Sequence, residues 1–362
     1  MTSGAFPFEA NPNPVDAADR AARLVDPGFG RVFTDHMVTI RYSDAKGWHD
    51  AKVGPRAPLT LDPATAVLHY AQEIFEGLKA YRLADGTMAL FRPEQNARRF
   101  QRSAKRLAMP ELPEDMFLQA CKQLVQVDKD WFPPVDGGSI YLRPFMIASE
   151  VFLGVKPSAE YLFMVIASSA GNYFKSGAPA ISIWVSEQYT RAARGGTGAA
   201  KCGGNYAASL VAQSEAIREG CDQVVFLDAA EHRWVEELGG MNLFFLFDDG
   251  SLLTPPTDGT ILEGITRDSV LTLARAQGLA VREERYAMDQ WRADAESGRL
   301  VEVFACGTAA VVTPVGTVKS TQGAFTIGAG GAGQMTQQIR TKLVDIQRGA
   351  AADTHGWVHR ID

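Results

Sequence analysis

DQVVFLDAAEHRWVEELGGMNLFFLFDDGSLLTP, residues 222–255, decides the fold class. Its four apolar runs, DQVVFLD, RWVEE, NLFFLF and SLLTP, are strand-sized and separated by short breaks, which reads as strands in hairpin succession. Upstream, AASLVAQSEAIREG (207–220) is a helix stopped by Gly220. Downstream come a helix in TRDSVLTLARAQG (266–278), strands VREERY (281–286) and LVEVFACG (300–307), and a terminal helix in QMTQQIRTKLVDIQRG (334–349). Toward the N-terminus, MVTIRY (37–42), KAYRL (79–83) and TMALFR (87–92) read as β, the last two joined by Ala84-Asp85-Gly86. Helices at 93–109 and 113–128 follow, then strands SIYLRPFMIAS (139–149), YLFMVIAS (161–168) and AISIWVSE (180–187). The first thirty residues read as an irregular arm. Hairpins outnumber clear βαβ units, so the class is α+β. GNYFKSGAPA (171–180) is the expected linker, giving a smaller domain over 1–175 and a larger one over 176–362.

A chain of 362 residues suits roughly two domains of ~150 residues. With 46% hydrophobic and 22% charged residues it is globular rather than disordered. Lys and Arg number 36 against 42 Asp and Glu, a net charge of −6 that argues against nucleic acid as a partner. Cys121, Cys202, Cys221 and Cys306 have no CxxC spacing, so neither a metal site nor a disulfide framework is indicated. The N-terminus shows no secretory signal, and apolar runs such as YLFMVIA fall far short of the ~20 residues of a membrane span. A soluble, cytoplasmic protein is expected.

Chemistry concentrates in a few places. Lys201 lies in GGTGAAKCGGNY (195–206), the one charge between Arg194 and Glu215, among small residues. Such company desolvates an amine, which lowers its pKa and frees it to attack a carbonyl; an exposed loop lysine is the plainer reading. A P-loop is excluded, because Cys202 stands where Ser or Thr would follow the lysine. In ILEGITRDSV (261–270) a helix begins after Gly264, with Thr266 the expected N-cap, and its first turn is a ready phosphate cradle or an ordinary capped helix. Thr308 in CGTAAVVTP (306–314) offers a hydroxyl at a strand end. Of Glu236 and Glu237, at most one faces a given pocket. A buried carboxylate there would hold a heterocyclic nitrogen protonated. Arg143 interrupts an apolar strand and needs an anion or carboxylate partner. Arg98 and Arg99 sit on a basic helix. One activatable lysine, a phosphate turn, an acid for a ring nitrogen and arginines for anions together suit pyridoxal phosphate.

HYAQEIFEGLKAYR (69–82), YLRPF (141–145), GGTGAAKCGGNYAASL (195–210), EELGGMNLFF (236–245), LEGITRDS (262–269) and CGTAAVVTP resemble, in order, the branched-chain amino acid aminotransferases. That resemblance implies the two-domain fold-type IV architecture of pyridoxal-phosphate enzymes, the one shared with D-amino acid aminotransferase. It implies Lys201 as the Schiff-base lysine, Tyr206 at the phenolic oxygen, Glu237 at the pyridine nitrogen, and Arg99, Ile265, Thr266 and Thr308 at the phosphate. Substrate residues by the same resemblance are Tyr70, Phe75, Tyr141, Arg143 and Tyr173, with backbone N–H groups of Thr308 and Ala309. The loop FLGVKP (152–157), Val155 included, would reach a partner subunit's site, implying a homodimer. The implied activity is reversible ping-pong amino transfer between leucine, isoleucine or valine and 2-oxoglutarate, in branched-chain amino acid biosynthesis. Alternatives are a D-amino acid aminotransferase, a 4-amino-4-deoxychorismate lyase, or a non-catalytic pyridoxal-phosphate protein. Where the mammalian enzymes carry a redox CxxC this chain has Ala310 and Thr313, so that switch is expected to be absent.

Overall fold

The computed structural model describes residues 4–135, 137–171 and 180–361. Contacts divide the chain into two units, Met1–Lys175 with Ala200–Gly203 and Ile346–Asp362, and Ser176–Ala199 with Gly204–Asp345. The expected linker falls largely outside the described residues. Two later segments join the first unit, one of them carrying Lys201.

The first unit runs α1 (Ala17–Leu24), β1 (Val32–Ser43), β2 (Gly47–Pro55), α2 (Val67–Tyr70), β3 (Glu73–Phe75), β4 (Leu78–Arg82), β5 (Met88–Phe91), α3 (Pro93–Arg106), α4 (Glu114–Val127), β6 (Ser139–Ala148) and β7 (Glu160–Ala170). The chain continues through β8 (Ile181–Ser186), α5 (Gly203–Ala207), α6 (Leu210–Arg218), β9 (Gln223–Leu227), β10 (Val235–Leu238), β11 (Asn242–Phe247), β12 (Leu252–Thr254) and α7 (Ile265–Ala276). It closes with β13 (Val281–Glu283), α8 (Met288–Glu296), β14 (Leu300–Gly307), β15 (Val311–Ser320), β16 (Gly323–Thr326), α9 (Gln334–Gln347) and β17 (Val358–Ile361).

In the first unit the sheet order is β17-β5-β4-β6-β7-β1-β2, with β3 also on β6. Its antiparallel strands bury one face under α3 and α4, where Phe100, Phe117 and Phe163 meet ring to ring at 5.5–6.1 Å. β6 alternates as a half-buried strand must: Ile140 and Leu142 point into this core, Tyr141, Arg143 and Phe145 to the other side. The tail joins this sheet because β17 pairs with β5.

The expected irregular arm contains α1. Asp16 caps it, its carboxylate accepting the N–H groups of Ala18 and Asp19, both at 2.9 Å.

The second unit follows the order β10-β9-β8-β15-β14-β11-β12-β13, and β10 also pairs with β11, closing six strands into a ring. The hairpin succession over 222–255 is present as β9 to β12. Parallel pairs were not anticipated: β8 with β9 across α5 and α6, and β12 with β13 across α7. Helical crossovers of this kind are what parallel neighbours require. At the closing pair Glu237 stands opposite Asn242, and Asn242 stands opposite Cys306 on its other side.

Candidate active site

Within the first unit, Lys201 is held by its backbone on both sides. Its carbonyl accepts the Phe75 N–H at 2.9 Å, and its own N–H donates to Ser103 Oγ on α3, also at 2.9 Å. Its ammonium lies 4.9 Å from the Phe75 ring centroid. Beside it, Arg99 is buried against Glu76, with Nε and Nη2 donating to the two carboxylate oxygens at 2.7 and 2.8 Å. Asn96 Nδ2 adds a third bond to Glu76 at 2.7 Å. Burial alone would raise the Glu76 carboxyl, but Arg99, Lys201 and Asn96 outweigh it and hold the group below its ordinary range. Arg98, by contrast, is on the surface, paired with Glu114.

Arg143 stacks over Phe75 at 4.8 Å and donates through Nη2 to the Tyr141 hydroxyl at 3.2 Å, while its buried Nε has no hydrogen-bond partner among the described residues. Gly77 makes room for this pair, since a Cβ there would collide with the Tyr141 hydroxyl. Glu73 lies nearby, accepting the Gly203 N–H; burial raises its carboxyl, only partly offset by that bond and by Arg143. Tyr70 stacks on Phe152 at 6.4 Å. Val155, in the same loop as Phe152, is 92% exposed.

Within the second unit, Glu237 is 3% exposed and bonded at both oxygens. Its oxygens accept the Leu262 N–H at 3.0 Å and Asn242 Nδ2 at 3.3 Å, and Oε1 pairs with Arg191 Nη2 at 2.7 Å. Asn242 also donates to the Leu262 carbonyl at 3.0 Å, which ties the carboxylate to the chain leading into α7. Gly264, not Thr266, occupies the cap position of α7, without a side-chain cap. Position 264 has no room for a side chain, since a Cβ there would overlap the Asn242 side chain. Ile265 and Thr266 therefore lie in the first turn, where backbone N–H groups and the helix dipole favour an anion. Thr308 and Ala309 occupy the turn between β14 and β15, directly after the Glu237–Asn242–Cys306 row. Tyr206 lies on α5 beside Gly240.

Tyr173 lies outside the described residues. Glu76, Asn96, Ser103, Arg191, Asn242 and Thr260 were missed by the sequence reading. Glu76 sits inside a quoted motif, EIFEG, and its isolation among apolar neighbours was a usable signal; Arg191 had none, because its partner is 46 positions away.

The class IV aminotransferase family matches this chain over residues 73–318. The chain belongs to the class IV aminotransferases. Its relatives in that family include the probable branched-chain-amino-acid aminotransferase of Streptomyces coelicolor, 58% identical over the full length of both chains. The branched-chain-amino-acid aminotransferase of Mycolicibacterium smegmatis is 56% identical, again over the whole of both. Among solved structures, the Escherichia coli branched-chain amino acid aminotransferase superposes with a TM-score of 0.73 at 29% identity, covering 91% of this chain and 99% of that one. The cofactor of this class IV aminotransferase is pyridoxal 5'-phosphate.

The aminotransferase's four cysteines are all buried and free. Burial pushes the Cys306 thiol up to about 12, and the Cys121 thiol is raised by the same cause. Ala310 and Thr313 are buried and carry no thiol. Ellman's reagent is therefore expected to leave the native protein unlabelled and fully active over an hour, and to titrate four thiols after denaturation.

Proposed function

We propose that this chain is a branched-chain-amino-acid aminotransferase, transferring the amino group of leucine, isoleucine or valine to 2-oxoglutarate in two half-reactions on one cofactor. The observation that carries the substrate reading is Arg143. Its guanidinium lies over Phe75, and its buried Nε has no acceptor among the described residues. A site that must take an aliphatic side chain and then the second carboxylate of glutamate needs an apolar wall and an anion receptor side by side.

The donor set fits the cofactor. Glu237, buried and fixed by Leu262 and Asn242, suits a ring nitrogen that must stay protonated; the uncapped first turn of α7 with Ile265 and Thr266, together with Thr308, suits a phosphate. Arg99, aimed by Glu76, would add a charge-assisted contact to that phosphate, and Tyr206 would bond the phenolic oxygen. When bound, the cofactor supplies an aldehyde for the amino group and a ring that takes up electrons from the substrate carbon. Lys201 would hold the aldehyde between turnovers and move the proton at the substrate Cα. Tyr141, Arg143 and the Thr308 and Ala309 N–H groups would orient carboxylates; Tyr70 and Phe75 would wall the side chain and exclude water.

We further propose a homodimer, supported by the exposed loop carrying Val155, and a cytoplasmic location. No helix among the described residues is long and apolar enough to cross a membrane.

Absorption spectroscopy of the purified holoenzyme tests the activity. The visible band is expected to bleach with L-leucine and return with 2-oxoglutarate. A band indifferent to leucine would sink the substrate assignment. Arg143→Ala is expected to raise the KM for 2-oxoglutarate at least about tenfold while changing that for leucine much less. Equal damage to both half-reactions would remove Arg143 from its proposed role.

A further inference from the structure

Beside Glu237 lies a second buried carboxylate, Glu236, only 6% exposed. The β9–β10 register shifts between Val235 and Leu238, so strict strand alternation does not set the direction of Glu236. It lines a separate cavity of about 260 Å³ together with Trp234, Thr260 and Asp258. The two carboxylates are nevertheless connected. Thr260 Oγ1 donates to Glu236 Oε1 at 2.6 Å, the Thr260 carbonyl accepts from Arg191, and Arg191 pairs with Glu237 at 2.7 Å. Arg191 is itself buried, and another of its bonds goes to the Gly198 carbonyl at 3.3 Å.

The charge count along these contacts matters. Arg191 and Glu237 alone are a neutral pair, and a carboxylate so paired has a weakened hold on a proton opposite it. Adding Glu236 makes the trio −1. Glu236 Oε2 is buried with no hydrogen-bond partner among the described residues, a costly arrangement that a neutral side chain would avoid. Its other charged neighbours are committed elsewhere. Asp228 accepts the N–H groups of Ala230, Glu231, Arg233 and Trp234, while Arg194 and Arg285 both turn to Asp258.

We propose that Glu236 is a positioning residue for the cofactor site: linked through Thr260 to Arg191, its carboxylate offsets the Arg191 charge so that Glu237 keeps the ring nitrogen protonated. The inference rests on the role assigned above to Glu237. Burial raises the Glu236 carboxyl, the Thr260 bond and Arg191 pull it down, and Glu237 and Asp228 push it up, leaving it above the ordinary glutamate value of 4.5. The offset is therefore present above that raised value and lost as pH falls through it.

The test is ¹⁵N NMR of holoenzyme loaded with cofactor labelled at the ring nitrogen, with steady-state kinetics alongside. Glu236→Gln is expected to move the ring-nitrogen resonance toward the neutral position and lower kcat about tenfold, with less than about a twofold change in KM for leucine. Glu236→Asp keeps the charge and should keep most of the wild-type shift. If Glu236→Gln leaves the resonance in place while Glu237→Gln moves it, the proposal fails and the role of Glu237 stands. Equal movement in Glu236→Gln and Glu236→Asp would also overturn it, by making the role structural. If neither Gln variant moves the resonance, the role of Glu237 itself falls.

Discussion

Lys201→Ala is expected to abolish amino transfer between leucine and 2-oxoglutarate, by at least about 10⁴-fold, while leaving the fold intact. The structure separates the two effects. Lys201 is held in place by its backbone, through bonds to Phe75 and Ser103 that alanine retains. Only the amine is lost, and with it the one group proposed both to hold the aldehyde and to carry the Cα proton. Steady-state rates measured beside a circular dichroism melt check both halves. More than about 1% residual activity would refute the assignment.

The largest stability effect is expected at Glu76. It is fully buried, bonded at both oxygens to Arg99, and faces the Lys201 charge. Removing one partner of such a pair leaves an uncompensated buried cation, which costs about 3–5 kcal/mol. Glu76→Gln keeps the shape and removes the charge, so the first unit should melt roughly 10 °C lower. The pH dependence has a definite sign. Because Arg99 holds the folded-state carboxyl below its unfolded value of 4.5, the stabilisation is complete above that value and is lost as pH falls through the lowered one. Melting curves of wild type and Glu76→Gln should converge toward acid. Parallel curves from pH 7 to pH 3 would show that the ion pair contributes nothing.

Much of the fold was legible because it rests on local patterns. β6 reads as a strand from its alternation, and α3 as a helix from Pro93 at its first position and its apolar spacing. The hairpins of β9 to β12 follow from short breaks between apolar runs. Less legible were β17 and the parallel neighbours of β8, since pairing between distant strands leaves no mark at either position. The cap of α7 also differs from the expected Thr266: the helix begins at Ile265 after Gly264, a position that the Asn242 side chain from a neighbouring strand keeps free of a Cβ.

By itself the sequence determined the α+β class, the family and the inventory of reactive groups: a lysine among small residues, an uncommon arginine in a strand, a carboxylate pair and a helix turn fit for an anion. These are properties of residue type and short spacing. Only the tertiary structure decided which charges face one another. Arg99 with Glu76, and Arg191 with Glu237 and, through Thr260, with Glu236, join residues 23 to 46 positions apart along the chain. Buried charges must find partners wherever the fold brings them, and sequence distance places almost no constraint on that search.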